Sequence, residues 1–190
     1  MLSIIEKQTL RKKLAEYEGN ISHMYLDSKG YVTVGVGHLL TTLQDAQKLP
    51  FMNNKNIRAT VAEIKSDYDN VKKQPKNRLA SFYKKFTKLK LSDVETNKLT
   101  NLHIDSFYKE LKIIYPGFDK YPSEAKLALC DMIFNLGMTN LNTQWPTMNA
   151  AVKSKDWKKA AANSNRKPPI SMARNKYVKE LFEKAANKIK

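Results

Sequence analysis

Apolar residues recur at helical spacing along most of the chain, and the main exception is one short stretch near the start. The first helical run predicts a helix that ends near Glu18, with Ser3 as its N-cap and Gly19 in the left-handed position that follows it. From Met24 to Val36, residues that favour strands flank a turn sequence at 27–30. This stretch predicts a β-hairpin.

The chain beyond the hairpin is predicted to be mostly helical. Thr60 and Ser92 each begin a capping box, and the second opens a long helix that ends at Ile114. A basic amphipathic helix fits the apolar spacing between Leu79 and Leu89, although its end also alternates like a strand. Shorter helical patterns lie around 148–152, 156–162 and 172–188.

The segment from Ser123 to Leu136 is apolar around nearly its whole circumference. A helix of this kind belongs in a core, and we expect Ser123 to cap it and Gly137 to close it. Cys130, the one cysteine of the sequence, lies inside this helix and is expected to be a small core residue. A single cysteine excludes an internal disulfide and Cys-rich metal sites.

The charge is strongly positive and unevenly placed. The formal net charge is +16, and between Val71 and Lys90 there are eight basic residues and no acid. Such a field attracts polyanions such as nucleic acid, acidic membranes or bacterial cell walls, but a solvated surface is the commoner explanation of a charge run. No apolar run is long enough for a bilayer span or a signal peptide, so we expect synthesis in the cytoplasm without cleavage.

The sequence contains no P-loop, no dinucleotide-binding fingerprint and no His-x-x-x-His metal pair, and the polar residues that remain form one group. Glu18 ends a helix, where the helix dipole disfavours the ionised carboxylate, whereas Asp27, close to turn amides, should stay ionised. We expect the hairpin to bring Thr33 across from Asp27, so that both hold one water. Two carboxyl groups with different pKa values can catalyse glycosidic cleavage. Acids at a helix end or in a turn are nevertheless more often exposed capping residues.

Four blocks of this sequence resemble the phage T4-type lysozyme family. Eight residues separate Glu18 from Asp27 and five separate Asp27 from Thr33, and the stretch YLDSKGYVTVGVGHLL at 25–40 is similar to the family's active-site segment. The other blocks resemble the family's buried central helix, its Trp-x-x-Ala-Ala segment and its C-terminal helix, and they lie at 130–139, 157–161 and 174–182.

The resemblance implies an α+β, mostly helical fold with two lobes. A small N-terminal antiparallel sheet, a long connecting helix and a helical C-terminal lobe would form a single lysozyme domain over 1–190. The small lobe would span approximately 18–91, with an insertion at 41–90 that matches the family poorly. The helical lobe would comprise 1–17 and 92–190.

The resemblance also implies a peptidoglycan hydrolase, an inverting muramidase that cuts between N-acetylmuramic acid and N-acetylglucosamine. Glu18 would be the general acid, Asp27 would activate water or stabilise the sugar cation, and Thr33 would hold that water. Asn135, where the family has glutamine, and Arg174 would contact substrate or the cleft. His38 would be structural, buried and bonded to an acid.

The partners implied are peptidoglycan and anionic cell-wall polymers, and nucleic acid is not an obligatory partner. The protein is expected to be a monomer that uses no metal or organic cofactor. The enzyme would reach the cell wall after holin-type release or dedicated delivery. The sequence leaves open whether the protein is a phage endolysin, a tail lysozyme, a bacteriocin domain or a secreted effector. It also leaves open whether an immunity or delivery protein binds it. Two other functions stay open as well: a catalytically silent wall-binding module, and a basic protein that binds nucleic acid or anionic membrane.

Overall fold

The computed structural model describes residues 1–188, which form helices and one three-stranded antiparallel sheet. The α-helices are α1 (Ile4–Glu18), α2 (Leu43–Gln47), α3 (Val61–Lys72), α4 (Ala80–Tyr83), α5 (Asp93–Ile114), α6 (Ser123–Gln144), α7 (Pro146–Lys153), α8 (Trp157–Ala162) and α9 (Met172–Asn187). The strands are β1 (Ile21–Leu26), β2 (Val32–Gly35) and β3 (His38–Leu39). Short 3-10 turns lie at Lys84–Phe86 and Phe118–Lys120.

The chain forms two compact units. One is Lys13–Leu102, and the other combines Met1–Lys12 with the chain from His103 onward. The first unit contains the sheet and the second contains helices α6 to α9. Within residues 1–188, no helix is both long enough and apolar enough to cross a bilayer.

Helix α1 has the ends that its sequence predicts. Ser3 accepts the N–H of Glu6 at 3.1 Å, and the Glu6 carboxylate accepts the N–H of Ser3 at 2.6 Å, which is a capping box. Gly19 follows with a φ of +78°, and its N–H donates to the carbonyl of Ala15. Glu18 is therefore the last helical residue.

The sheet-containing unit has its own apolar core. Alternate residues of the hairpin face this core, and they pack with side chains from α3 and from the chain on either side of it. The buried hairpin residues are Met24, Leu26, Val32 and Val34, and their partners include Phe51, Ile64, Tyr68, Val71 and Tyr83. The Thr60 capping box predicted for α3 is present.

The helix predicted across Leu79–Leu89 continues only to Phe86, and the strand-like alternative at its end is the one observed. Helix α4 and the 3-10 turn end at Phe86, and Lys90 then pairs with Met52 as an extended bridge. The carboxylate of Asp67 on α3 accepts the N–H groups of Lys88 and Leu89 at 2.7 and 2.8 Å. Because these two N–H groups bond to Asp67, they cannot continue a helical ladder.

Helix α6 is the buried centre of the second unit, as predicted. Gly137 interrupts it with φ +71° and ψ 164°, and a further helical stretch continues to Gln144. The prediction of Ser123 as N-cap is wrong, because Pro122 occupies that position and the Ser123 hydroxyl donates to Glu6 instead. Cys130 is fully buried in this helix, and burial raises the pKa of its thiol.

Candidate active site

The hairpin turn fixes Asp27. The N–H of Asp27 donates to the carbonyl of Tyr31, and the N–H of Gly30 donates back to the carbonyl of Asp27, both at 3.0 Å. One carboxylate oxygen, Oδ1, accepts the N–H groups of Lys29 and Tyr31 at 2.9 and 2.8 Å. This Asx-type turn orients the carboxylate and leaves Oδ2 for other partners.

The strand register places Thr33 opposite Tyr25, so the prediction that Thr33 lies across from Asp27 is wrong. The turn closes between Asp27 and Tyr31, which makes Thr33 the diagonal neighbour of Asp27 on the same face. Thr33 is 1% exposed, and its hydroxyl donates to the carbonyl of Tyr31 at 3.0 Å. Its oxygen lone pairs remain available to accept a hydrogen bond.

Tyr25 links Glu18 to Asp27 electrostatically. Burial raises the pKa of Tyr25 to about 12, a hydrogen bond from the backbone of Gly37 opposes the rise, and the charges of Glu18 and Asp27 add to it. Both carboxylates thus act on the same phenol. Tyr25 was not among the site residues predicted from the sequence. The signal that could have found it is its position two residues before Asp27 on one face of a strand.

His38 lies on β3 in the same unit. It pairs with Val34 across the sheet, and it is half-buried rather than buried as expected. Gly35 and Gly37 lead into it with φ values of +66° and +78°, a conformation that favours glycine. The polar partner proposed for His38 stays a prediction.

Asn135 and Arg174 belong to the helical unit. Arg174 is 4% exposed, and its Nε lies 3.1 and 3.2 Å from the two carboxylate oxygens of buried Asp131. Arg166 joins them, because its Nη1 donates to Asp131 at 2.8 Å and to the amide oxygen of Asn135 at 3.1 Å. These bonds tie α9 and the chain before it to α6, and the substrate contacts of Asn135 and Arg174 stay predictions.

The comparisons with known proteins identify the family of this chain. A family model described as phage lysozyme matches residues 15–182, which include each candidate site residue. The chain belongs to the phage lysozyme family. Its mostly helical α+β architecture with one small sheet is that of a T4-type lysozyme.

Two curated proteins of Dictyostelium discoideum are similar to this member of the phage lysozyme family. "Probable T4-type lysozyme 2" is 27% identical over 157 residues, which are 80% of this chain and 79% of that protein. "Probable T4-type lysozyme 1" is 24% identical over 151 residues, or 79% and 78% of the two chains.

One cavity of this phage lysozyme family member brings two sequence features together. Its volume is about 610 Å³, and its lining includes Asn135, Trp145 and the segment 167–169. Asn135 stands where the resemblance to T4-type lysozymes implies a glutamine. Asn135 and the segment 167–169 therefore line the same surface of the helical unit.

Proposed function

We propose that this chain is an N-acetylmuramidase that hydrolyses the β-1,4 bond between N-acetylmuramic acid and N-acetylglucosamine in peptidoglycan and so lyses bacteria. Its place in a lysozyme family supports peptidoglycan as the substrate. The observation that carries the proposal is the hairpin geometry, in which the turn amides orient the carboxylate of Asp27 and the register makes Thr33 its diagonal neighbour on the same face.

In the proposed reaction Glu18 donates a proton to the glycosidic oxygen as that oxygen leaves the anomeric carbon. Water attacks the same carbon from the opposite face, and its proton passes to the carboxylate oxygen Oδ2 of Asp27. Thr33 accepts a hydrogen bond from the attacking water. The turn amides hold the Asp27 carboxylate in place, so that it is oriented before substrate binds.

Turbidity loss and release of reducing sugar from purified cell walls test the proposal. Glu18→Gln and Asp27→Asn should each lower turnover by at least about 100-fold, since general acid and base catalysis commonly contributes this much. Glu16→Gln is the matched control, because Glu16 is exposed on the same helix and pairs with Lys13. Turnover within about threefold of wild type in Glu18→Gln would refute the general-acid role.

The stereochemistry of the product tests the inverting mechanism separately. Proton NMR during early turnover should show the α-anomer forming first, because a β bond is cut with inversion. A β-anomer would contradict direct attack by water. Wall binding without sugar release would favour a silent binding module, and steeply salt-dependent duplex binding without sugar release would favour a nucleic-acid-binding protein.

A further inference from the structure

The basic stretch between α3 and α4 lies against the turn that holds Asp27. A Cβ built on Gly30 would lie 3.6 Å from Cδ of Lys76 and 3.9 Å from its Cβ, so the aliphatic stem of Lys76 covers the turn. Gly30 closes the turn that Asp27 opens. Lys76 is thus a neighbour of the candidate catalytic hairpin, although it is distant in sequence.

Two hydrogen bonds fix this stretch to the body of the unit. The hydroxyl of buried Tyr83 donates to the carbonyl of Pro75 at 2.8 Å, and a ring nitrogen of His23, on β1, lies 2.9 Å from the carbonyl of Ala80. The bonds hold both ends of 75–80. The residues between them therefore have a defined position beside the hairpin.

Arg78 lies in the same electrostatic environment. Burial raises the pKa of Tyr83, a hydrogen bond from the Arg78 backbone and the charge of Arg78 oppose the rise, and the charge of Asp27 adds to it. Tyr83 is therefore within range of both Arg78 and Asp27. The guanidinium of Arg78 lies 5.9 Å from the ring centre of Phe82.

Lys76 and Arg78 carry uncompensated charge. Both are exposed, and in the part of the chain that the structure describes neither has a carboxylate within ion-pair distance. No acidic residue occurs from Val71 to Ser92. Two unpaired cations beside the hairpin form a local positive potential that favours an anionic group of the substrate.

We propose that Lys76 and Arg78 form an anion subsite that binds carboxylates of the peptide attached to the sugar strand. The inference rests on the proposed muramidase function. In peptidoglycan the peptide is attached to the lactyl group of the muramic acid whose bond is cut, so a strand bound at the candidate catalytic hairpin carries those carboxylates on a flexible chain next to the bond. The subsite belongs to the segment 41–90, in which this sequence matches T4-type lysozymes poorly.

Steady-state hydrolysis of two soluble substrates tests the subsite. The first is a peptide-bearing glycan strand, and the second is the same strand after an amidase has removed its peptides. Lys76→Gln/Arg78→Gln should raise KM for the peptide-bearing strand about five- to tenfold, as expected for two exposed ion pairs, and leave kcat unchanged. KM for the stripped strand should change less than about twofold.

The matched control is Lys55→Gln/Arg58→Gln, which removes the same charge from an exposed loop of the same unit. It should leave both KM values within about twofold of wild type. An equal rise of KM on both substrates, or an equal rise in the control variant, would overturn the subsite in favour of general electrostatic attraction. Circular dichroism establishes that both variants are folded.

A third substrate separates carboxylates from phosphates. It is a stripped strand that still carries phosphate-containing wall polymer, and the double variant should hydrolyse it like wild type. A raised KM on this substrate would show that the subsite takes phosphate and would overturn the assignment to peptide. Wild-type protein that cleaves no strand would refute the muramidase function itself, whereas an active wild type with an unaffected double variant refutes the subsite alone.

Discussion

The charge of Asp27 in the hairpin turn and the charge of Glu18 at the end of α1 both act on the phenol of Tyr25. Its oxygen accepts the backbone N–H of Gly37, and burial with the charges of Glu18 and Asp27 raises its pKa to about 12. The phenol therefore stays neutral across the physiological range and keeps a proton that it can donate in a hydrogen bond. We expect it to help position the two carboxylates.

Removal of this hydroxyl should change how stability depends on pH. An unfolded tyrosine titrates near pH 10, so between pH 10 and about 12 the unfolded chain loses the proton first and the free energy of unfolding falls. In Tyr25→Phe this fall should be smaller, by on the order of 2 kcal/mol across that window. Urea unfolding at pH 8, 10 and 11.5 measures it.

The control for this prediction is Tyr31→Phe, which changes an exposed tyrosine of the same hairpin. Its pH dependence should match that of wild type. At pH 8, Tyr25→Phe should lose about 1 kcal/mol for the hydrogen bond to Gly37. Parallel curves for wild type and Tyr25→Phe above pH 10 would contradict the assignment.

At the scale of elements, hydrogen bonds to Asp67 keep the chain after α4 from continuing as a helix. Asp67→Ala leaves the N–H groups of Lys88 and Leu89 without their acceptor, and we expect it to lower the free energy of unfolding by about 2–3 kcal/mol. Asp67→Asn keeps an acceptor oxygen and should lose about 1 kcal/mol or less. Urea unfolding compares the two, and equal losses would show that the hydrogen bonds are not the cause.

Gly137 ends the buried part of α6 with a backbone conformation that is essentially reserved for glycine. A Cβ there would meet nothing within 4 Å, so Gly137→Ala should cost only backbone strain, about 1–3 kcal/mol. Thermal unfolding measures this loss. Gly117→Ala is the control, since its φ of −82° suits alanine, and an equal loss in both variants would argue against strain at Gly137.

Short-range signals made several elements predictable. The Ser3 and Thr60 caps, the stop at Gly19 and the break at Gly137 each depend on a few neighbouring residues. The extended chain at 88–89 depends on a carboxylate more than twenty residues earlier. The spacing of apolar residues within a segment cannot reveal a hydrogen bond to such a distant residue. The helical interpretation of Leu79–Leu89 failed beyond Phe86 for this reason.

The sequence indicated candidate site residues but not the strand register of the hairpin that holds two of them. The spacing of Glu18, Asp27 and Thr33 and the turn sequence indicated which residues belong together. The residue opposite Thr33 depends on where the turn closes, and moving that point changes every pair in the hairpin. Tyr25 was missed because its importance comes from its environment rather than from a motif.

At the scale of the whole molecule, the net charge of +16 should make wall hydrolysis sensitive to salt. We expect Lys84→Gln/Lys85→Gln/Lys88→Gln to lower the rate on cell walls several-fold in dilute buffer and to flatten the salt dependence. The difference from wild type should vanish near 1 M salt, where the Debye length is about 3 Å. Rates on walls across a salt series measure it, and unchanged rates would show that these lysines do not tether the enzyme.

The burial of Cys130 has a practical consequence. A thiol that is fully buried and has a raised pKa presents almost no thiolate to a maleimide under native conditions. Because Cys130 is the one cysteine in the sequence, a cysteine introduced at an exposed position becomes the single thiol that a fluorophore or spin label reacts with. Motions of the hairpin at 21–35 can then be followed by spectroscopy without replacing any native residue of the core.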